Sequence, residues 1–242
     1  MKVLTAHTRA ITLELVRYPG YVVPTLLFPT MFFLFFAAPR DDALATLLMV
    51  SFAGFAALGV AFFQFGVGIA NDRVFPWERY LRTLPVSPYV RLLARVLSAC
   101  LFAAASAGLV VAAALATTEA SLGPDQAAEL VLVLLAAIVS FGLLGIALGY
   151  LASPKGALPI ANLLYLGLSY AGGLWMRPAD LPAFVRKLSP FLPTRQLADA
   201  LTGVATHHPW QLRPWLALAG FTAAFAVLAL TGYRRDEGER FR

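Results

Sequence analysis

Residues 130–152 read LVLVLLAAIVSFGLLGIALGYLA, a run of 23 residues without a charged side chain. The hydrocarbon core of a bilayer is about 30 Å thick, and a helix needs roughly 20 apolar residues to cross it. This run therefore predicts a transmembrane helix. The whole chain has a matching composition, because 60% of its 242 residues are hydrophobic and only 13% are charged. Soluble domains carry about 25% charged residues.

Five further apolar runs have a comparable length, and together the six predict an all-α membrane protein with six transmembrane helices. The remaining residues suffice for short loops, one amphipathic entry segment and one longer loop. We therefore expect a single membrane domain over residues 1–242. The predicted spans are residues 21–38, 44–70, 96–117, 130–152, 156–176 and 214–233.

The N-terminal segment 2–18 mixes charged residues with apolar residues that recur at roughly helical spacing. This pattern predicts an amphipathic helix that lies in the membrane interface. A cleaved signal peptide is the alternative, since Ala37-Ala38 could end its apolar region. Its leader, however, is long and carries Glu14, and the apolar run exceeds the usual length. Pro24 and Pro29 predict a kink or a local unwinding of the first span.

Basic residues are divided unequally between the two faces that six spans create. Both termini lie on one face, which carries 13 of the 19 Lys and Arg residues, whereas the other face carries 6. The positive-inside rule therefore predicts cytoplasmic termini. Trp175, Trp210 and Trp215 bracket the long loop on the opposite face and suit an outer aromatic belt. The same rule accounts for the net charge of +6 without a nucleic-acid partner.

The predicted spans contain no charged residue, which argues against proton relays, ion pathways and voltage sensors. None of the three lysines follows a glycine, so the GxxxxGK[ST] nucleotide-binding loop is missing, and HExxH is absent. We interpret Cys100, His207 and His208 as structural residues. The sequence thus predicts no catalytic set, no metal site and no directly bound cofactor. Transport by this chain would need energy from another protein.

The polar segment 71–95, NDRVFPWERYLRTLPVSPYVRLLAR, lies between the second and third spans on the predicted cytoplasmic face. Residues 77–84 have room for about two helical turns, Pro76 suits a first helical position, and Pro85 and Pro88 end the helix. The apolar edge of this helix is suited to a groove on a soluble partner. A solvated basic loop is the alternative interpretation.

This segment resembles the cytoplasmic loop of ABC-2 type exporter permeases, where an acidic residue, a leucine-rich turn and a Pro-Val-Ser or similar sequence precede a basic stretch. WERYLRTLPVSP at residues 77–88, followed by Arg91, carries the resemblance. The leader TRAITLELVRYPGYVVPTLLFPTMFFLFF is similar to the family's N-terminus, and LPAFVRKLSPFLPTRQLADALTGV is similar to its outer segment. The family often has Glu-Gly-Thr before the leucine-rich turn, where this sequence has Phe75-Pro76-Trp77. This difference concerns the subfamily and the substrate, not the class.

The resemblance implies a type II ABC exporter-like fold, with a re-entrant outer helical segment over residues 177–213 that is broken near Ser189-Pro190. It implies two ABC ATPase subunits, which bind ATP and Mg, and two permease subunits, as a homodimer or with a second permease encoded nearby. The loop between spans two and three would act as a coupling helix in the ATPase groove. Its contact set would be Trp77, Glu78, Arg79, Leu81, Arg82, Thr83 and Leu84.

Residues of spans one and two could line an apolar path for a lipid-like or drug-like substrate. They are Phe28, Phe32, Phe35, Phe62, Phe63 and Gln64. Core packing or lipid contact is the alternative for the phenylalanines.

We expect the membrane subunit of an ATP-driven exporter in a bacterial inner membrane, in contact with lipids and without enzyme activity of its own. A haem- or polysaccharide-exporter permease and a non-transporting membrane scaffold are alternatives. A secondary transporter or an intramembrane enzyme would need a charged or nucleophilic centre, which the spans lack.

Overall fold

The computed structural model describes residues 2–38, 44–75, 87–208 and 210–240. Within these ranges the chain is helical and contains no β-strand, so the all-α prediction is confirmed. Short 3₁₀ turns at Pro178–Asp180 and Ser189–Phe191 flank the seventh helix. The described helices, numbered α1 to α9 in chain order, are Lys2–Val16, Pro19–Phe36, Ala45–Asp72, Pro88–Thr117, Pro124–Leu151, Pro154–Gly172, Ala183–Leu188, Pro193–Ala205 and Leu212–Arg240.

The helix ends differ from the ends of the predicted spans. Helix α4 begins at Pro88 and α5 at Pro124, well before the apolar runs, because proline suits the first helical turn and hydropathy marks only the apolar part. Helix α6 ends at Gly172, earlier than the predicted Met176. The cause is Gly173, whose φ of 84° places it in the left-handed region that closes many helices.

Five of the described helices are long and apolar enough to cross a membrane. They are α2, α3, α4, α5 and α9, which correspond to the first four predicted spans and the sixth. Helix α6 occupies the place of the fifth span, and its 19 residues would extend about 28 Å at 1.5 Å per residue. Because α6 is less apolar than the other five, the sixth crossing stays a prediction.

Helix α3 lies at the centre of the bundle. In its most apolar stretch 83% of the residues are buried, compared with 56% in α5. Helices α2, α4, α5, α6 and α8 all pack against it. Its first part, Ala45–Val60, is apolar apart from Thr46 and Ser51, as expected for a helix that others enclose.

Glycines of α5 allow a very close approach to the second half of α3. A Cβ built on Gly145 would lie 2.5 Å from the carbonyl oxygen of Ala61, and one on Gly149 would lie 2.7 Å from the Cβ of Ile69. Small residues have this role in many membrane helix pairs, because they let two backbones come together. Helix α9 packs along α5, where Ser140 and Thr222 form a hydrogen bond.

Helix α2 is continuous through Pro24 and Pro29, so the predicted local unwinding does not occur. Pro29 has no N–H, which leaves the carbonyl of Thr25, four residues earlier, without its helical donor. The hydroxyl of Ser106 on α4 donates to this carbonyl at 2.8 Å, and both residues are buried. A neighbouring helix therefore replaces the missing hydrogen bond, as bilayer-spanning helices require.

The predicted amphipathic segment forms α1, which packs along α4 and has no buried residue. In the outer segment, α7 and α8 are separated by the turn Ser189–Phe191, at the position where a break is predicted. Helix α8 packs against α3, and the Thr194 hydroxyl donates to the carbonyl of Leu168 on α6 at 2.6 Å. Entry of this segment into the bilayer stays a prediction.

We expect Gly145→Ala to lower the free energy of unfolding by about 1–3 kcal/mol, because its methyl group overlaps a backbone oxygen that cannot rotate away. Thermal unfolding in detergent, followed by scanning fluorimetry, measures the effect. Gly108→Ala on α4 is the matched control, since a Cβ there meets nothing within 4 Å. Equal melting temperatures for the two variants would contradict the close contact.

Ser106→Ala should destabilise the protein by about 1–3 kcal/mol, because it leaves the buried carbonyl of Thr25 without a donor. Thr117→Ala removes an exposed hydroxyl near the end of the same helix and should change stability by less than about 0.5 kcal/mol. The same melting assay compares them. An unchanged melting temperature for Ser106→Ala would show that the carbonyl oxygen of Thr25 needs no donor.

Candidate functional site along the central helix

The predicted coupling residues Trp77, Glu78, Arg79, Leu81, Arg82, Thr83 and Leu84 lie outside the described residues. Both ends of their loop are described: α3 ends at Asp72, and α4 begins at Pro88. The guanidinium of Arg95 on α4 forms an ion pair with the carboxylate of Asp72. This contact joins the last residue of α3 to α4, about two turns after the start of α4.

Three of the predicted path residues, Phe62, Phe63 and Gln64, lie in a π-helical turn of α3, Ala61–Val67. Hydrogen bonds in a π turn run from residue i to residue i+5, and such turns often occur at functional sites. Leu148 of α5 and Tyr165 of α6 pack against this part of α3. No sequence signal predicts the turn, because it contains no proline and continues an ordinary apolar helix.

The side chain of Gln64 is almost fully buried and joins three helices. Its Oε1 accepts a hydrogen bond from the Tyr21 hydroxyl of α2 at 3.2 Å. Its Nε2 donates to the carbonyl oxygen of Arg95 on α4 at 3.5 Å. Gln64 therefore connects the π turn to the base of the predicted coupling loop.

An aromatic column runs along α3, between α2 and α6, and its centre is Phe55. The ring of Phe55 stacks on Tyr165 at 4.4 Å with an interplanar angle of 6°, and it meets Trp175 edge to face at 5.6 Å. Offset stacking and edge-to-face contacts are the preferred arrangements of aromatic pairs. We define the column as Phe28, Phe32, Phe55, Phe63, Tyr165 and Trp175.

The column contains three of the six predicted path residues: Phe28, Phe32 and Phe63. Phe35 is 69% exposed and points away from it, and Phe62 is fully buried in the core. Sequence reasoning missed Phe55, Tyr165 and Trp175. The spacing of Phe28, Phe32 and Phe36 on one face of α2 could have indicated an aromatic surface, but its partners depend on how α6 packs.

The column is apolar and carries no charge, so it can contact a hydrocarbon chain or an aromatic ring. Phe28, Phe32, Phe63 and Trp175 are half-buried, whereas Phe55 and Tyr165 form a buried layer behind them. Among the described residues no three His, Cys, Asp or Glu side chains come together in a way that could hold a metal ion.

Two comparisons with known proteins identify the family of this chain. Residues 27–231 match the model of a family described as ABC-2 family transporter protein. The chain is also 22% identical over 200 residues to "Putative transport permease YvfS" of Bacillus subtilis (strain 168). That alignment covers 80% of this chain and 82% of the relative.

The family match extends from α2 into α9 and includes the central helix, the aromatic column and the outer segment. Membership of such a family implies a multi-pass membrane protein that acts in transport with an ABC ATPase as its partner. The chain belongs to the ABC-2 transporter family and is a permease of that family.

Proposed function

We propose that this chain is the membrane subunit of an ATP-driven exporter that moves a lipid-like or drug-like amphipathic molecule outward. A separate ABC ATPase, present in two copies, would bind ATP and Mg and hydrolyse the ATP. The main support is the combination of apolar helices of membrane-spanning length with an ion pair that joins α3 and α4 on the two sides of the loop between them.

The aromatic column favours an amphipathic substrate over a polysaccharide. Its exposed groups are phenyl and indole rings, and sugar hydroxyl groups would lose hydrogen bonds to water there without replacement. Gln64 is the amide of this region, and its carbonyl and amino groups are already bonded to Tyr21 and to the backbone of Arg95. The chemistry therefore fits a hydrocarbon chain or an aromatic drug.

Charged side chains at one end of the bundle support the proposed orientation. The basic residues at this end are Arg73, just after α3, Arg95, about two turns into α4, and Lys155, in the first turn of α6. Arg73 pairs with Asp236 and Arg95 with Asp72, so among these residues the basic groups exceed the acidic ones by one. Excess positive charge marks the cytoplasmic side of a membrane protein. We infer a bacterial inner membrane location with cytoplasmic termini, which places the loop between α3 and α4 within reach of a cytoplasmic ATPase.

The exposed face of α6 supports a dimer of two copies of this chain. Asn162 is exposed there, with Leu163 beside it at 73% exposure. An amide in hydrocarbon is unfavourable unless it finds a hydrogen-bond partner on another helix. A second copy related by two-fold symmetry would supply an identical amide.

The first test is co-expression with the ABC ATPase that is encoded beside the permease gene. We expect the ATPase to copurify with the wild-type permease, and we expect Arg82→Glu to weaken copurification at least about tenfold, equivalent to 1.4 kcal/mol. Arg186→Glu makes the same charge change in the outer segment and should have no effect.

A wild-type permease that retains no ATPase would contradict the proposed function. A wild-type level of copurification by Arg82→Glu would contradict the predicted coupling contact and favour a scaffold.

The second test is disulfide cross-linking in membranes, in a Cys100→Ala background. Asn162→Cys should give a dimer-sized species on oxidation, because two-fold packing of α6 would bring the two cysteines within the roughly 7 Å Cα separation that a disulfide allows. Leu216→Cys, 62% exposed on α9, is the control and should stay monomeric. Equal cross-linking of both variants, or of neither, would argue against a dimer through α6.

A further inference from the structure

The ends of three helices meet around Arg73, the first residue after α3. Its guanidinium forms an ion pair with Asp236 of α9 at 2.6 Å. The same guanidinium donates to the carbonyl oxygens of Gly149 and Tyr150, near the end of α5, at 2.8 Å and 2.7 Å. It also lies 5.7 Å above the centre of the Tyr150 ring. One side chain therefore contacts both α5 and α9.

These contacts depend on the shape and charge of the arginine side chain. The planar guanidinium presents several N–H donors in a fixed fork, so it can bind a carboxylate and two carbonyl oxygens at once. The last carbonyls of a helix lack intrahelical donors and carry the negative end of the helix dipole, and a cation stabilises them. A lysine could supply the charge but not the fork.

The pair between Arg73 and Asp236 is shielded from water, because their side chains are 20% and 4% exposed. Loss of one partner would leave the other charge buried without compensation, so this contact resists separation. The neighbouring pair of Asp72 and Arg95 is more open, since the Asp72 side chain is 40% exposed and water screens it. Arg73, at the start of the loop between α3 and α4, is thus held firmly to α5 and α9, whereas Asp72 is held more weakly to α4.

Helices α5 and α9 form one body with the second half of α3. Gly145 lets the backbone of α5 approach Ala61, and α9 packs along α5. Packed helices move together, because close-packed interiors deform little. A displacement of the chain at Arg73 would therefore move α5 and α9 with it.

We propose that Arg73 transmits movement of the loop between α3 and α4 to α5 and α9. We class it as a positioning residue, because its contacts are with helices α5 and α9. This inference rests on the proposed function, in which an ATPase acts on that loop. Without the guanidinium, movement of the loop would reach the two helices only through the packing of α3 against α5, and the transmitted displacement would be smaller. Substitution of Arg73 should then reduce the stimulation of ATP hydrolysis without reducing the binding of the ATPase.

The test compares Arg73→Gln, Arg73→Lys and Asp236→Asn in the complex of full-length permease with its ATPase. Three quantities are measured: copurification of the ATPase, stimulation of ATP hydrolysis by the permease, and the melting temperature of the complex. Asp180→Asn is the matched control, because it breaks the exposed ion pair of Asp180 with Arg177 at the other end of the bundle.

In Arg73→Gln and Asp236→Asn we expect stimulation of hydrolysis to fall by at least about fivefold, the lower range of coupling between sites. Copurification, measured per folded permease, should stay within about twofold of wild type, because the predicted contact residues 77–84 are unchanged. Arg73→Lys should lie between Arg73→Gln and wild type, because it keeps the charge. Asp180→Asn should match wild type in all three measurements.

Two results would overturn the inference while the proposed function stands. One is wild-type stimulation by Arg73→Gln. The other is a parallel loss of copurification, stimulation and melting temperature in all three variants, which would show a structural role alone. A wild-type permease without bound ATPase would instead contradict the proposed function and, with it, this inference.

Discussion

The enclosure of α3 is the constraint on which the rest of the structure depends. Five helices pack around it, so each of its side chains must suit a neighbour, and its backbone polar groups must be satisfied without water. The glycines of α5 meet this condition by allowing direct approach to the π turn. The aromatic column meets it on the opposite side, where Phe55 packs between Tyr165 and the rings of α2.

The π turn links this packing to the two regions of the proposed function. It places Gln64 where one side chain bonds to α2 and to the backbone of α4, next to the ion pair at the base of the loop. It also brings Phe63 to Tyr165, at one end of the column. The region that could bind an apolar molecule and the region that could respond to an ATPase therefore share one segment of α3. A change of hydrogen bonding in that segment would affect both.

Sequence reasoning succeeded for features that depend on neighbouring residues and failed for features that depend on distant ones. Helices α2 to α5 and α9, which are long and apolar enough to cross a membrane, follow from apolar runs. Prolines and Gly173 set helix ends that hydropathy does not predict. Phe28, Phe32 and Phe63 belong to the column, whereas Phe35 faces outward and Phe62 is in the core. The side on which a phenylalanine lies depends on helix rotation, which partner helices determine.

The sequence alone determined that this protein is a multi-helix membrane protein of ABC-2 type, because long uncharged runs and the loop WERYLRTLPVSP are local properties of the chain. Tertiary structure alone decided that α3 is central, that Tyr165 and Trp175 complete the column, and that Arg73 pairs with Asp236. Those residues are far apart in the chain and meet only through helix packing. Which face of a helix meets which neighbour depends on all the helices together, so no single segment determines it.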